Sequence, residues 1–92
     1  MREIERSTAF RRDYKREAKG QHRATLDAVL VQILVALAND EPLAAKHRDD
    51  LSGAWAGYRD CHVKPDLVLI YQTTQENTLR LARLGSHSEV FN

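Results

Sequence analysis

The sequence predicts an α+β fold in which two N-terminal helices pack on one face of a small, mainly antiparallel sheet. Apolar residues recur at helical spacing as far as Ala38, and from Trp55 the period changes to the alternation of a β-strand. No repeat or flexible linker divides the 92 residues, so we expect a single domain spanning residues 1–92. Such a fold leaves the opposite sheet face free to present polar side chains.

The first elements are a strand and a helix. Met1–Arg6 alternates weakly and is a candidate edge strand. Ser7 or Thr8 is suited to cap the first helix, which we expect to end at Gly20. The apolar face of this helix repeats every four residues, at Phe10, Tyr14 and Ala18.

The second helix is the main core helix. We predict it from Arg23 to Ala38, where Asn39–Pro42 ends it because proline cannot continue the hydrogen-bonded ladder. Its core-facing residues follow the i, i+3, i+4 spacing of one helical face: Leu26, Val29, Leu30, Ile33, Leu34 and Leu37.

Three strands follow as an antiparallel meander. The first is predicted over Trp55–Val63 and is followed by a turn at Lys64–Asp66. The second, Leu67–Tyr71, is a continuous apolar run and is expected at the centre of the sheet, covered on both faces. The third, Thr78–Leu84, is predicted to place Leu79, Leu81 and Arg83 on one face.

The composition indicates an ordinary folded domain. Hydrophobic residues make up 42 %, charged residues 29 %, and the net charge is +1, which excludes a disordered chain. The single cysteine, Cys61, excludes an intramolecular disulfide, and a small domain without such staples is expected in the cytoplasm. The most apolar stretch is too short to cross a membrane, and the charged N-terminus does not resemble a secretory signal.

Two imidazoles, His62 and His87, lie in the sheet half, with Asp60 and Asp66 near them and Asp50 farther away. This set of residues suits metal-free RNA cleavage. In that reaction a base takes the proton from the ribose 2′-hydroxyl and an acid protonates the departing 5′-oxygen. Asp60 and His62 stand two apart on one strand face, and Asp66 opens the next strand, within reach across the hairpin.

Two more residues are candidates for binding the substrate. Arg83, near the end of the last strand, is suited to a phosphate, and Phe91 is suited to stacking on a base. Each also has a structural explanation, because an arginine can pair with a carboxylate and a phenylalanine can close a core.

His22 and His47 lie in a junction and a loop, where we expect solvated side chains. We expect no metal site, because Cys61 and His62 point to opposite faces and no short ligand pair exists.

The longest motif is LSGAWAGYRDCHVKPD, from Leu51 to Asp66, followed by Leu69–Tyr71 and by RLGSHSEVF, from Arg83 to Phe91. Over essentially the whole chain these motifs resemble YafQ-type toxins of the RelE/ParE toxin–antitoxin superfamily. The resemblance implies a RelE-like microbial ribonuclease fold and an endoribonuclease that enters the ribosomal A site, cuts translated mRNA and inhibits translation. It also implies inhibition by a DinJ-like antitoxin. We expect no cofactor.

The resemblance also assigns roles. The acid/base and orienting positions of the family match His62, Asp66 and His87, with Asp60 as a further functional position and Phe91 near the substrate. His87 is then the general acid. His62 is the base or stabilises the phosphate, and Asp66 orients an imidazole.

The chain departs from the family in the loop before the Leu-x-Gly element. Relatives carry a histidine there, whereas Arg48–Leu51 has none and is one residue shorter. Asp50 is a candidate base, although its ordinary pKa of about 4 makes it a weak one at pH 7, and His47 is the other candidate. The departure leaves open a catalytically weakened antitoxin-binding module. A ParE-like gyrase inhibitor of the same superfamily is a further alternative, but it would not explain why His62 and His87 are present.

The charge is distributed unevenly. Residues 1–23 hold eight Lys and Arg against four Asp and Glu, or +4, which leaves −3 for residues 24–92. Helical spacing gathers four cations into a patch suited to ribosomal RNA phosphates, although such a charge run is also compatible with a solvated face. The patch consists of Arg12, Lys15, Arg16 and Lys19.

Overall fold

The computed structural model describes residues 1–44, 47 and 57–91, and over these residues it confirms the α+β fold. The described strands are β1 (Glu3–Arg6), β2 (Arg59–Lys64), β3 (Leu67–Thr73) and β4 (Thr78–Gly85). The described helices are α1 (Thr8–Glu17), α2 (Leu26–Ala38) and α3 (His87–Phe91). None of these helices is long and apolar enough to cross a membrane.

The four strands form one sheet in the order β1-β4-β3-β2. The predicted meander is confirmed, since β3 pairs antiparallel with both β2 and β4. The candidate edge strand is also confirmed, and it pairs parallel with β4. Leu67–Ile70 of β3 are each at most 1 % exposed, as expected of a strand covered on both faces.

Helix α1 begins at the predicted cap and is tied to the sheet there. The Ser7 hydroxyl accepts a hydrogen bond from the Phe10 N–H at 2.9 Å and donates one to the Ala82 carbonyl at 2.8 Å. One side chain therefore satisfies an orphan donor of the helix and holds the helix start against β4.

Helix α2 begins at Leu26, later than the predicted Arg23. The intervening residues form tight turns, in which the Arg23 N–H donates to Gly20 and the Thr25 N–H donates to His22. Each of these bonds spans three residues rather than the four of an α-helix. The hydroxyl of Tyr14 on α1 donates to the Asp27 carboxylate on α2, and this bond is the main cause of a raised Tyr14 pKa.

Strand β2 begins at Arg59; Trp55, the predicted start, lies outside the described residues. The prediction that Arg83 shares a face with Leu79 and Leu81 is wrong. A bulge shifts the register, so that Tyr71 lies opposite Leu81 while Ile70 lies opposite Arg83. Leu84, which is fully buried, therefore continues the core face of β4.

The sheet carries apolar packing on both faces. Helices α1 and α2 cover the larger core, which includes Cys61 of β2. On the other face Val68 and Ile70 pack against Val90 of α3. The prediction that this face is free is therefore wrong in part. Because β3 is apolar on both sides, its second face needs a cover, and the short C-terminal helix supplies it.

Candidate active site

Three aromatic rings lie in a row where β2 meets α3. The ring centroids of His62 and His87 are 5.3 Å apart with an interplanar angle of 43°, and those of His87 and Phe91 are 5.7 Å apart. His87 is exposed and the other two residues are half-buried. The fold thus brings together two imidazoles 25 positions apart and leaves them open to a large substrate.

His62 reaches this row because of strand alternation. Cys61 belongs to the core under α1 and α2, so Asp60 and His62 point to the opposite side of β2, as predicted. Asp60 is 7 % exposed, whereas His62 is half-buried. The same face of β2 therefore carries one buried polar residue, Asp60, and one that reaches the surface, His62.

His87 reaches the row because α3 is capped. The Glu89 carboxylate accepts from the Ser86 N–H at 2.8 Å, and the Ser86 hydroxyl accepts from the Glu89 N–H at 3.2 Å. This is a reciprocal capping box, and the hydrogen bond from Ser86 is the largest cause of a lowered Glu89 pKa. The Ser-x-x-Glu spacing is visible in the sequence and is the signal that could have predicted the helix.

Phe91 packs against the apolar cluster beneath α3 while its ring stays beside His87. The structural explanation and the stacking role are therefore compatible. Packing on the apolar cluster holds the half-buried ring next to the His87 imidazole. The role of the ring in stacking on a base stays a prediction.

His47 is not solvated as expected. It is 7 % exposed, and its Nδ1 lies 2.6 Å from the carbonyl oxygen of His62. A carbonyl only accepts, so Nδ1 carries the proton and, in the neutral ring, Nε2 holds the lone pair. His47 is thus fixed to the backbone of the strand that carries His62.

Asp66 lies in the turn between β2 and β3, at the junction of α1 and α2. Its carboxylate accepts from the Gln21 side chain at 2.9 Å. It also lies 3.1 Å from His22 Nε2, without the alignment of a hydrogen bond. His22 is therefore not a solvated side chain, and it is the imidazole beside Asp66. That Asp66 orients a catalytic imidazole stays a prediction.

Arg83 is held by a carboxylate that is not among the predicted site residues. Its Nε lies 2.6 Å and its Nη2 lies 3.3 Å from oxygens of Asp13, which is only 2 % exposed. Asp13 follows Phe10 by three positions on the buried face of α1, and a carboxylate on such a face signals a buried ion pair. The guanidinium of Arg83 is therefore already held by Asp13. Its role in binding a phosphate stays a prediction.

Asp13 has further partners. It accepts from Arg16 Nη1 at 3.1 Å and from the Leu84 N–H at 3.1 Å. Burial raises its pKa, but the hydrogen bonds from Arg83 and Leu84 and the charges of Arg83 and Arg16 outweigh burial, so its pKa is lowered. The carboxylate is ionised and joins α1 to the end of β4.

The predicted basic patch loses one member. Arg16 lies against Asp13, Glu17 and Glu89 and donates to the Leu84 carbonyl at 2.9 Å. Arg12 and Lys15 on α1 and Lys19 just after its end are exposed, and no residue that the structure describes forms an ion pair with them. Three cations therefore face outward.

Asp50, the candidate base in the shortened loop, lies outside the described residues. Over residues 1–44, 47 and 57–91, no group of three or more His, Cys, Asp or Glu side chains is placed to hold a metal ion. The chemistry offered by the described site is that of two neighbouring imidazoles beside an aromatic ring.

Comparison with known proteins gives full-length matches. Residues 2–92 match the model of a family described as a bacterial toxin of type II toxin–antitoxin systems, YafQ. The chain is 38 % identical to the mRNA interferase toxin YafQ of Escherichia coli, over 99 % of this chain and 97 % of that protein.

Solved structures agree. The chain matches a toxin in the crystal structure of the E. coli DinJ–YafQ complex with a TM-score of 0.80 and 38 % identity, covering 100 % of both chains. It matches a metal-bound toxin from Helicobacter pylori with a TM-score of 0.81 and 42 % identity, over 99 % of this chain and 100 % of that one.

Proposed function

Because this chain belongs to the YafQ family of bacterial type II toxins, we propose that it is an mRNA interferase that cleaves messages on the translating ribosome. The observation that carries the proposal is the pair of imidazoles, His62 and His87, with ring centroids 5.3 Å apart. Two rings at this separation can both reach one phosphodiester, which is the geometry that acid/base cleavage of RNA requires.

The proposed reaction uses the 2′-hydroxyl of the substrate as the nucleophile. A base removes its proton, the oxygen attacks the adjacent phosphorus, and the bond to the 5′-oxygen breaks. His87 protonates the departing 5′-oxygen, because its exposed ring lies at the open side of the site. His62 takes the proton or stabilises the phosphate, and Asp50 or His47 is the alternative base. Imidazoles suit both proton transfers near neutral pH.

The substrate is held by neighbouring groups. Phe91 offers a ring face beside His87 for a base to stack on. Arg83 offers positive charge near the end of β4, and Asp60, on the strand that carries His62, orients polar groups of the site. The orienting role proposed for Asp66 acts on His22, the imidazole beside it. A domain of 92 residues has little room for a separate RNA-binding module, so we propose that the ribosome positions the message.

The partner that restrains the toxin is proposed to be a DinJ-like antitoxin. The support is that the E. coli relative was crystallised as a DinJ–YafQ complex and that this chain covers that toxin along its full length. The proposed site of action, with ribosome, message and antitoxin, is the cytoplasm.

Primer extension on a reporter mRNA tests the function. With translating ribosomes, the purified toxin is expected to give discrete cuts in phase with codons, and without translation it is expected to give none. An intact message together with tight antitoxin binding would instead indicate a non-catalytic module. DNA damage signalling without mRNA cleavage would indicate a gyrase inhibitor.

The three outward-facing cations, Arg12 and Lys15 on α1 and Lys19 just after its end, are expected to bind ribosomal RNA. Changing Lys15 and Lys19 to Gln should weaken ribosome binding and flatten its dependence on salt, by roughly one unit of log–log slope for each phosphate that is no longer neutralised. Sedimentation with ribosomes over a salt series measures this. Arg80→Gln is the matched control, because Arg80 lies on β4, outside this group of cations, and is paired with Glu5 at 2.8 Å. Equal slopes for all variants would exclude the patch from binding.

A further inference from the structure

The place of His87 depends on a helix that is too short to be stable by itself. Helix α3 has five residues, whereas isolated helices need roughly 12 to 15 to be even marginally stable in water. Its fixed points in the structure are the packing of Val90 on β3 and the capping box at its start. The orientation of the first helical residue, His87, follows from these two.

The capping carboxylate is itself tied to the rest of the protein. One carboxylate oxygen of Glu89 accepts the hydrogen bond from the Ser86 N–H, and the other lies 3.5 Å from Arg16 Nε. Arg16 in turn is held by Asp13 and by the Leu84 carbonyl. A continuous series of charged contacts therefore runs from buried Asp13 on α1, past the end of β4, to the first turn of α3.

Gly85 shows how closely these groups approach the backbone. A Cβ built on it would lie 2.9 Å from Arg16 Nη2, 3.0 Å from Glu89 Oε1 and 3.3 Å from Glu89 Cβ. Real Cβ atoms essentially never come closer than 3.0 Å to such neighbours, so a side chain here would require the flexible ends of Arg16 and Glu89 to shift. The arginine and the capping carboxylate therefore approach each other over a glycine that leaves them room.

We propose that Glu89, held by Arg16, is a positioning residue that sets the His87 imidazole opposite His62. The proposal rests on the proposed role of His87 in cleavage. Glu89 touches no reacting atom; it acts by fixing the first turn of α3. Misplacing a catalytic group by about 1 Å can slow a reaction about 100-fold, so a loose cap has a kinetic consequence.

Three variants separate this role from general stability. Glu89→Ala removes the cap and the ion pair, Glu89→Gln keeps an oxygen for the Ser86 N–H but loses the charge, and Gly85→Ala requires the ends of both side chains to shift while every charge stays in the chain. Glu76→Ala, in the exposed turn before β4, is the matched control.

The first measurement is independent of cleavage. Proton NMR of the free toxin should show cross-peaks between the ring protons of His62 and His87 in the wild type and in Glu76→Ala. These cross-peaks should disappear in Glu89→Ala and persist, more weakly, in Gly85→Ala and Glu89→Gln. Cross-peaks of wild-type intensity in Glu89→Ala would overturn the proposal, whatever the toxin cleaves.

The second measurement is single-turnover cleavage on ribosome–mRNA complexes. The maximal rate should fall about 10- to 100-fold in Glu89→Ala, with a smaller fall in Gly85→Ala and Glu89→Gln and little change in the concentration for half-maximal rate. An unchanged maximal rate in Glu89→Ala would also overturn the proposal. If wild-type toxin itself cleaves nothing, the proposed function fails, while the NMR cross-peaks still decide the positioning role.

Discussion

Replacing His87 with alanine is expected to lower the rate of mRNA cleavage by about 100- to 10,000-fold, the usual contribution of a general acid. The ring is exposed and its aromatic neighbours are His62 and Phe91, so its removal takes away the proposed proton donor without opening the core. The cap of α3 uses Ser86 and Glu89 and is left intact. Growth arrest on induction should disappear together with the primer-extension cuts.

The controls for this variant are folding and partner binding. His87→Ala should keep the melting temperature and the antitoxin affinity of the wild type, and Glu76→Ala should keep its cleavage rate. Undiminished cleavage by folded His87→Ala would remove this residue from the proton-transfer role and direct attention to His62 or His47.

Replacing Asp13 with alanine is expected to destabilise the protein by about 2 to 4 kcal/mol, the cost of breaking a buried charged network by removing one partner. Asp13 is 2 % exposed and accepts hydrogen bonds from Arg83, Arg16 and the Leu84 N–H, all of which lose their acceptor. For a domain of this size each kcal/mol lowers the melting temperature by about 4–8 °C. Thermal and urea unfolding measure the effect.

A surface ion pair provides the matched control. Asp40 also pairs with an arginine, Arg2, at 2.6 Å, but its side chain is 78 % exposed. Exposed pairs contribute about 0–1 kcal/mol, so Asp40→Asn, which removes the charge and suits the left-handed backbone at this position (φ 57°), should change stability little. If the Asp13 and Asp40 variants lost the same free energy of unfolding, burial would not explain the stabilisation that Asp13 provides.

The same carboxylate predicts a dependence of stability on pH. The folded pKa of Asp13 is lowered from its ordinary value of 3.8, so its contribution is complete above that value and is lost as pH falls through the lower folded pKa. The free energy of unfolding of Asp13→Asn should therefore lie below that of the wild type at neutral pH, and the gap should narrow at pH values below 3.8. A constant gap across this range would contradict the assignment.

Some elements are predictable because local sequence encodes them. Ser7 caps α1 as predicted, and the apolar run of β3 forms the buried strand of the sheet. The predicted start of α2 is three residues too early, because the turns after Gly20 bond over three residues and leave no mark on the apolar period. The Ser-x-x-Glu spacing that caps α3 is equally local, so the sequence also encodes the start of that helix.

The candidate site, too, is predictable from the sequence only in part. The motifs containing His62 and His87 identify the imidazoles, since residue type and spacing are carried by the chain itself. Their approach to 5.3 Å is decided by α3 folding over the second face of the sheet. His22 and His47, expected in solvent, are held against Asp66 and the His62 carbonyl by packing that no local pattern reports.

The sequence alone determined the α+β class, the meander and the set of candidate catalytic residues, because helical and strand periods and residue chemistry are properties of short segments. Three features were decided only by the tertiary structure. A bulge between β3 and β4 turns Arg83 away from the face of β4 that carries Leu79 and Leu81. Arg83 pairs with Asp13, 70 positions away in the chain, and Glu89 contacts Arg16 over Gly85. The physical reason is that a buried carboxylate must find its cations in space, and spacing along the chain does not state which distant residues will supply them.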